Sequence, residues 1–193
     1  MKVAVTGSIG SGKSTVCGFL KRAGYPVISA DEVNGELLHN EDVKKDIVNL
    51  LELEKFSREA ISCAIFEDNS KRKKLNDYLH PKILEKVLAF LEQNKGGLVF
   101  AEIPLLYEAG WDKYFDASVA VITDPKIAEE RLLKERHISV AESRKRRLKQ
   151  LAQEEKARRS DYQILNNGDI SHLVNQIEVL INLLSERENE YTI

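Results

Sequence analysis

Several things are scarce in this 193-residue chain, and each shortage closes off a class of protein. Two cysteines, Cys17 and Cys63, have neither CxxC spacing nor a disulfide-rich context, so both are expected to be reduced core thiols in a cytoplasmic protein. The four histidines (His39, His80, His137 and His172) include no pair at metal-ligand spacing, which argues against a structural metal site. No run approaches the roughly 18 apolar residues of a membrane span. Met1-Lys2 leads straight into "VAVTG", without the apolar segment of a signal peptide. A net charge of −2 supplies no overall pull toward nucleic acid or anionic lipid, so any electrostatic specialisation must be local. No repeat or low-complexity linker divides the chain, and its length suits one compact domain with a flexible insertion or lid.

What is present is an alternation of short apolar runs with long amphipathic, charge-rich segments, the signature of an α/β fold with a parallel sheet. Five strands are expected: "KVAV" (2–5), "PVISA" (26–30), "GLVFAEI" (97–103), "ASVAVIT" (117–123) and "YQIL" (162–165). They are mostly continuous rather than alternating, as in strands covered on both faces. Helices are expected over 14–23 (closed by Gly24), 31–53, 58–79, 81–94, 125–137, 140–159 and 171–190, the last capped by Asp169 or Ser171. Residues 32–95 hold helices without a strand, too many for a simple crossover, and read as an inserted helical subdomain.

In an open parallel sheet ligands bind beyond the carboxyl ends of the strands. Just past the expected strands lie Gly7–Ser14, Asp31, Glu102–Leu106, Asp124 and Asn166–Gly168. Asp124-Pro125 reads equally well as an ordinary turn. The first group, "GSIGSGKS", fits GxxxxGK[ST] between a strand and a helix, the context that motif requires. Backbone N–H groups of Gly10, Ser11, Gly12, Lys13, Ser14 and Thr15 are expected to cradle phosphates at the helix N-terminus. Lys13 would reach the β/γ oxygens, Ser14 would ligate Mg²⁺, and Thr15 would add a contact to the α-phosphate.

The motif alone does not name a reaction. A guanine-specific NKxD is absent, since "NKGG" at 94–97 lacks the aspartate, and no LSGGQ-like stretch appears. A kinase needs a residue that positions and deprotonates an acceptor hydroxyl, and Asp31, ending "PVISAD", is the candidate. The same carboxylate could serve simply as a helix N-cap. Glu102 stands where a water-mediated magnesium contact is needed, with a plain strand-ending charge as the alternative. Residues 126–159 carry twelve basic side chains against six acidic ones. They suit either a solvated helix face or a lid closing arginines over a triphosphate. Nucleic-acid binding fits less well, because no aromatics interleave the run.

Taken together, "VAVTGSIGSGKSTV", "VISAD", "SREAISCAIF", "YLHPKI", "EIPLLYE" and "QLAQEEKARRSDYQILNNG" resemble the dephospho-coenzyme A kinase family from residue 2 to about 168. The resemblance implies ATP-dependent phosphorylation of the ribose 3′-hydroxyl of dephospho-CoA, the last step of coenzyme A biosynthesis. It implies a P-loop kinase core (1–31, 96–124 and 160–193), a helical CoA-binding insertion (32–95) and a helical lid (125–159). Asp31 matches the family's proposed general base. Arg58, His80, Leu105 and Glu108 fall on the acceptor side, and Asn166 and Gly168 near the adenine. Arg146, Gln150 and Lys156 match the lid-proximal segment. Ala128 and Glu135 stand where glutamine and arginine are common, and Arg136 takes the arginine's role by a one-residue shift. His80 also reads as a helix-initiating residue before Pro81, and Tyr107 and Trp111 either line the acceptor pocket or pack in the core. The implied cofactors are ATP and Mg²⁺ and the implied partner is the small-molecule acceptor, with no nucleic acid or membrane, in a monomer or weak homo-oligomer. A kinase of a nucleoside or other metabolite, and a P-loop regulatory ATPase, are the competing readings.

Overall fold

The computed structural model describes residues 1–191. Its elements run β1 (Lys2–Gly7), α1 (Lys13–Arg22), β2 (Val27–Ser29), α2 (Ala30–Leu37), α3 (Glu41–Leu51), α4 (Arg58–Glu67) and α5 (Asn69–Gln93). After these come β3 (Val99–Glu102), a 3₁₀ turn (Asp112–Tyr114), β4 (Ala117–Ile122), α6 (Pro125–Arg136), α7 (Val140–Arg147), α8 (Gln153–Arg159), β5 (Tyr162–Leu165) and α9 (Ile170–Tyr191). The chain divides into two compact units, Met1–Ile28 with Phe90–Ile193, and Ser29–Ala89.

The first unit is built on a five-stranded parallel sheet in the order β2-β3-β1-β4-β5, flanked by helices. Its strands are apolar on both faces: Val3, Val5, Phe100, Val119 and Val121 are all but inaccessible, and Leu20, Leu173, Ile177 and Leu184 of α1 and α9 join the same cluster. Register decides what reaches the carboxyl edge. Val5 pairs with Glu102 on one side and Val119 on the other, while Gly7 lies opposite Val121, so the loop after β1 leaves from the middle of the sheet. α1 ends in a left-handed Gly24 (φ 90°), with Tyr25 N–H on the Leu20 carbonyl and Gly24 N–H on that of Lys21. This double bond closes the helix as its glycine predicts. Pro125 opens α6 behind Asp124, whose carboxylate accepts from Lys126 N–H at 2.8 Å, so Asp124 is a helix cap. Asp169 caps α9 by accepting from His172 N–H at 2.9 Å.

The second unit departs from the long helices that periodicity suggests. The expected helix over 31–53 is two, because Asn40 accepts from Asp42 and Val43 N–H groups and starts α3 afresh. The expected boundary at Pro81 lies instead at Asp68, whose carboxylate accepts from Ser70 and Lys71 N–H groups, and α5 runs on through Pro81. Proline removes one backbone bond there. The buried Leu75, Leu79, Ile83 and Val87 on both sides keep the helix continuous across that gap. Tyr78 ties α5 to α3 through Asp46 at 2.5 Å, and burial, helped by that carboxylate, pushes its hydroxyl up to about 12. Cys17 is buried, as expected, but Cys63 is exposed on α4. Placing both thiols in the core is therefore wrong for Cys63, whose thiol is held protonated chiefly by the neighbouring Glu67 carboxylate.

Candidate active site

The loop between β1 and α1 is shaped by what surrounds it. Gly10 and Gly12 take left-handed backbone angles (φ 79° and 91°), which side-chain-bearing residues adopt only with strain. A Cβ at Gly10 would lie 2.9 Å from Leu132 Cδ1, and one at Gly12 would overlap Asn166 Nδ2. No side chain caps α1 and its first turn holds no acid. The partial positive charge at that end, about half an elementary charge, is therefore unneutralised by carboxylates of its own first turn. An anion is what such an end accepts.

Side chains hold the loop from outside. Lys13 is buried and donates from Nζ to the Ser8 carbonyl at 3.0 Å, lying back across the loop. The Ser11 carbonyl accepts from Thr123 Oγ1 and from Asn166 Nδ2, both at 2.9 Å. Gln153 pairs both its amide atoms with the backbone of Thr123 at 3.0 Å, fixing that threonine. Asn166, expected near the adenine, is thus buried with its amide spent on the phosphate loop, while Gly168 is exposed at the start of the turn into α9.

Ser14, exposed on the first turn of α1, donates from its hydroxyl to Glu102 Oε1 at 2.9 Å. Glu102 ends β3 and is buried. A hydroxyl and a carboxylate side by side at a phosphate loop are hard oxygen donors. They fit a magnesium ion that takes its remaining ligands from water and nucleotide, as that ion prefers. No cluster of three or more histidine, cysteine or acidic side chains able to hold a metal occurs among the described residues, so a dedicated protein cage is not an alternative there.

The basic stretch sorts itself by partner. Arg144 grips Glu129 with two nitrogens, at 3.1 and 3.2 Å, tying α7 to α6 and holding the Glu129 carboxyl below the usual range. Arg146 pairs with Glu142, and Arg158 and Arg159 with Glu155. Lys156 is fully buried and donates to Glu108 and to the Pro104 carbonyl. Burial pulls its ammonium below the ordinary value and Glu108 opposes that pull. Arg136 is exposed at the end of α6. Arg131, not singled out by sequence reasoning, has a buried Nη1 without a hydrogen-bond partner. It follows Ala128 by one helical turn, and Ala128 and Leu132 are the residues packed nearest Gly10. Its signal in the sequence was that α-helical spacing, visible only once the face of α6 is known.

On the segment after β3, Leu105 is half-buried and Glu108 is engaged with Lys156. Tyr107 and Trp111 are buried, Tyr107 bonding Ser160 at 2.8 Å under the Arg159 guanidinium, which is the core alternative for these aromatics. In the second unit, Asp31 lies within the first turn of α2 and is exposed, and the N-cap position belongs to Ser29. The reading of Asp31 as a cap is therefore excluded. Arg58 is exposed at the first residue of α4, behind the Ser57 cap. His80 sits mid-helix in α5, half-buried, so it does not initiate a helix, and burial holds its imidazole below the ordinary value.

A glycine loop entering an uncapped helix from the centre of a 2-3-1-4-5 parallel sheet is the machinery of a P-loop kinase, and this chain is of that class. The model of the dephospho-CoA kinase family matches residues 1–172, and the chain belongs to that family. A dephospho-CoA kinase of Rickettsia felis is 34% identical over 189 residues, covering 97% of this chain and 99% of the relative. The crystal structure of TT1252 from Thermus thermophilus superposes with a TM-score of 0.85 at 28% identity, covering 95% and 97% of the two chains. A dephospho-CoA kinase from Campylobacter jejuni gives 0.70 at 26% identity, covering 97% and 100%.

Proposed function

We propose that this chain transfers the γ-phosphoryl group of ATP to the ribose 3′-hydroxyl of dephospho-CoA, releasing CoA and ADP. The observation that carries the reading is the Ser14–Glu102 contact at the uncapped start of α1, in a chain of the dephospho-CoA kinase family. Backbone N–H groups of residues 10–15 bind the phosphates, and Lys13 swings from the Ser8 carbonyl onto the transferring group as its charge spreads. Arg131 is the lid arginine that supplies a second positive charge, with the exposed Arg136 joining it on closure. Asp31 accepts the proton of the 3′-hydroxyl as that oxygen bonds to phosphorus, and the bond from phosphorus to the β–γ bridging oxygen breaks to leave ADP. Ser14 and Glu102 would hold Mg²⁺, which would supply charge neutralisation on the phosphates. Arg58, His80 and Leu105 lie on the acceptor side, and Asn166 and Gly168 border the adenine.

The enzyme works in the cytoplasm as a monomer or weak homo-oligomer, without nucleic acid. No helix among the described residues is long and apolar enough to cross a membrane. The test is ADP release in a coupled assay. Turnover with dephospho-CoA that greatly exceeds turnover with nucleosides, or with no acceptor, is the expected result. Equal rates with and without acceptor would make the protein an ATPase instead.

A further inference from the structure

The stretch 148–152 between α7 and α8 is fastened at two points that the transfer reaction does not explain. At one, Gln150 accepts through Oε1 from the Ile9 N–H in the middle of the phosphate loop, at 3.1 Å. At the other, the next residue, Leu151, donates its N–H to Glu108 Oε1 at 2.8 Å. The same Glu108 oxygen takes the ammonium of Lys156 at 2.9 Å, and that ammonium also donates to the Pro104 carbonyl at 2.5 Å. Lys156 is fully buried, whereas Glu108 is an exposed residue whose side chain is 19% accessible. Removing the Glu108 charge is costly, because it strands the buried Lys156 ammonium away from water. The pair is therefore a rigid post, and the backbone at Leu151 is nailed to it.

The consequence concerns the loop. Of the backbone groups in residues 8–11, the Ser8 carbonyl is held by Lys13 and by Ser11 N–H, and the Ser11 carbonyl by Thr123 and Asn166. These contacts come from the loop's own helix and from the strand ends. The Ile9 N–H is instead held by a side chain from the far end of the lid segment. Gln150 is neutral, so it can steady a loop that must receive a polyphosphate without repelling the ligand, which a carboxylate in its place would do.

We propose that Gln150 is a positioning residue for the nucleotide loop, and that the Lys156–Glu108 pair acts through Leu151 to hold Gln150 in place. On this account Glu108 serves the nucleotide side of the reaction indirectly and is not a ligand of the acceptor. The inference deepens the kinase reading of the same site and rests on it for the identity of the acceptor.

The experiment is titration of ADP into the nucleotide-free protein by calorimetry, without acceptor, for the parent, Gln150→Ala and Glu108→Gln, alongside KM for ATP and for dephospho-CoA. Gln150→Ala is expected to weaken ADP by about threefold to tenfold, the range one lost neutral hydrogen bond covers. It raises KM for ATP in parallel, leaves KM for dephospho-CoA within twofold, and leaves the melting temperature of the nucleotide-free protein nearly unchanged. Glu108→Gln keeps an oxygen for Leu151 but loses the ion pair, and weakens ADP in the same direction. ADP affinity in Gln150→Ala equal to that of the parent overturns the proposal. So does a Glu108→Gln enzyme whose only change is a raised KM for dephospho-CoA, since that makes Glu108 an acceptor ligand. If the parent turns over no dephospho-CoA but Gln150→Ala still loses ADP affinity, the kinase reading fails and the positioning role stands.

Discussion

Replacing Gly12 by alanine tests the packing behind the phosphate loop. The residue has φ 91°, and its added methyl would overlap the amide of Asn166, which is buried and donates to the Ser11 carbonyl. Two costs combine. The left-handed backbone costs an alanine about 1–2 kcal/mol, and expelling the Asn166 amide loses a buried hydrogen bond of about 1 kcal/mol, leaving the Ser11 carbonyl to Thr123 Oγ1 alone. Together these come to about 2–3 kcal/mol, or a melting temperature lower by about 4–12 °C for a chain of this size. Gly24 separates the two costs. It has the same sign of φ (90°) but open space where a Cβ would stand, so Gly24→Ala is expected to lose only the backbone component, about 1–2 kcal/mol. Differential scanning calorimetry of both variants, and of Gly12→Ala combined with Asn166→Ala, provides the measurement. The double variant should be less destabilised than the two single losses added, because the colliding group is gone. Strict additivity, or a Gly12→Ala loss no larger than that of Gly24→Ala, would refute the claim that Asn166 packs against the loop.

Three further outcomes are expected. Asp31→Asn should bind ADP as the parent does while kcat falls by about 10² or more, the usual size of a general-base effect, and unchanged turnover would return Asp31 to a surface role. Glu102→Ala removes the partner of the Ser14 hydroxyl, so the gain in ADP affinity on adding magnesium should shrink, and an undiminished gain would detach Glu102 from the metal. His80 has its imidazole held below the ordinary value of about 6.5 by burial, with Asp77 opposing. Its contribution to stability is therefore complete above that value and is lost as pH falls through the folded-state value. Urea unfolding from about pH 7.5 to pH 5 should show a steeper fall for the parent than for His80→Gln, and equal slopes would contradict it.

Much of this was legible from residue order alone, for reasons that differ by element. The sheet was, because strands covered on both faces read as uninterrupted apolar runs: "YQIL" is β5, and the expected 117–123 and 97–103 differ from β4 and β3 only at their ends. The phosphate loop was, because glycines at fixed offsets between a strand and a helix serve few other purposes. The helical breaks were harder. Asn40 and Asp68 mark new helix starts by side-chain capping, which outweighs the periodicity running through them, whereas Pro81, the stronger breaker in isolation, is overridden by packing on both sides. Individual side-chain roles were least legible. Glu108 and Asn166 look like ligand residues in sequence, yet one is bonded to a lysine 48 positions away and the other to a loop carbonyl 155 positions away. Arg131 could not be told from its basic neighbours until α6 was seen to lay Ala128 and Leu132 against Gly10.

The account stands or falls on where the phosphoryl group ends up. Phosphorus NMR of the product formed from ATP and dephospho-CoA should show a new phosphomonoester on the ribose 3′ position, equal in amount to the ADP released. Free inorganic phosphate in its place, or a phosphate attached elsewhere on the acceptor, would contradict it.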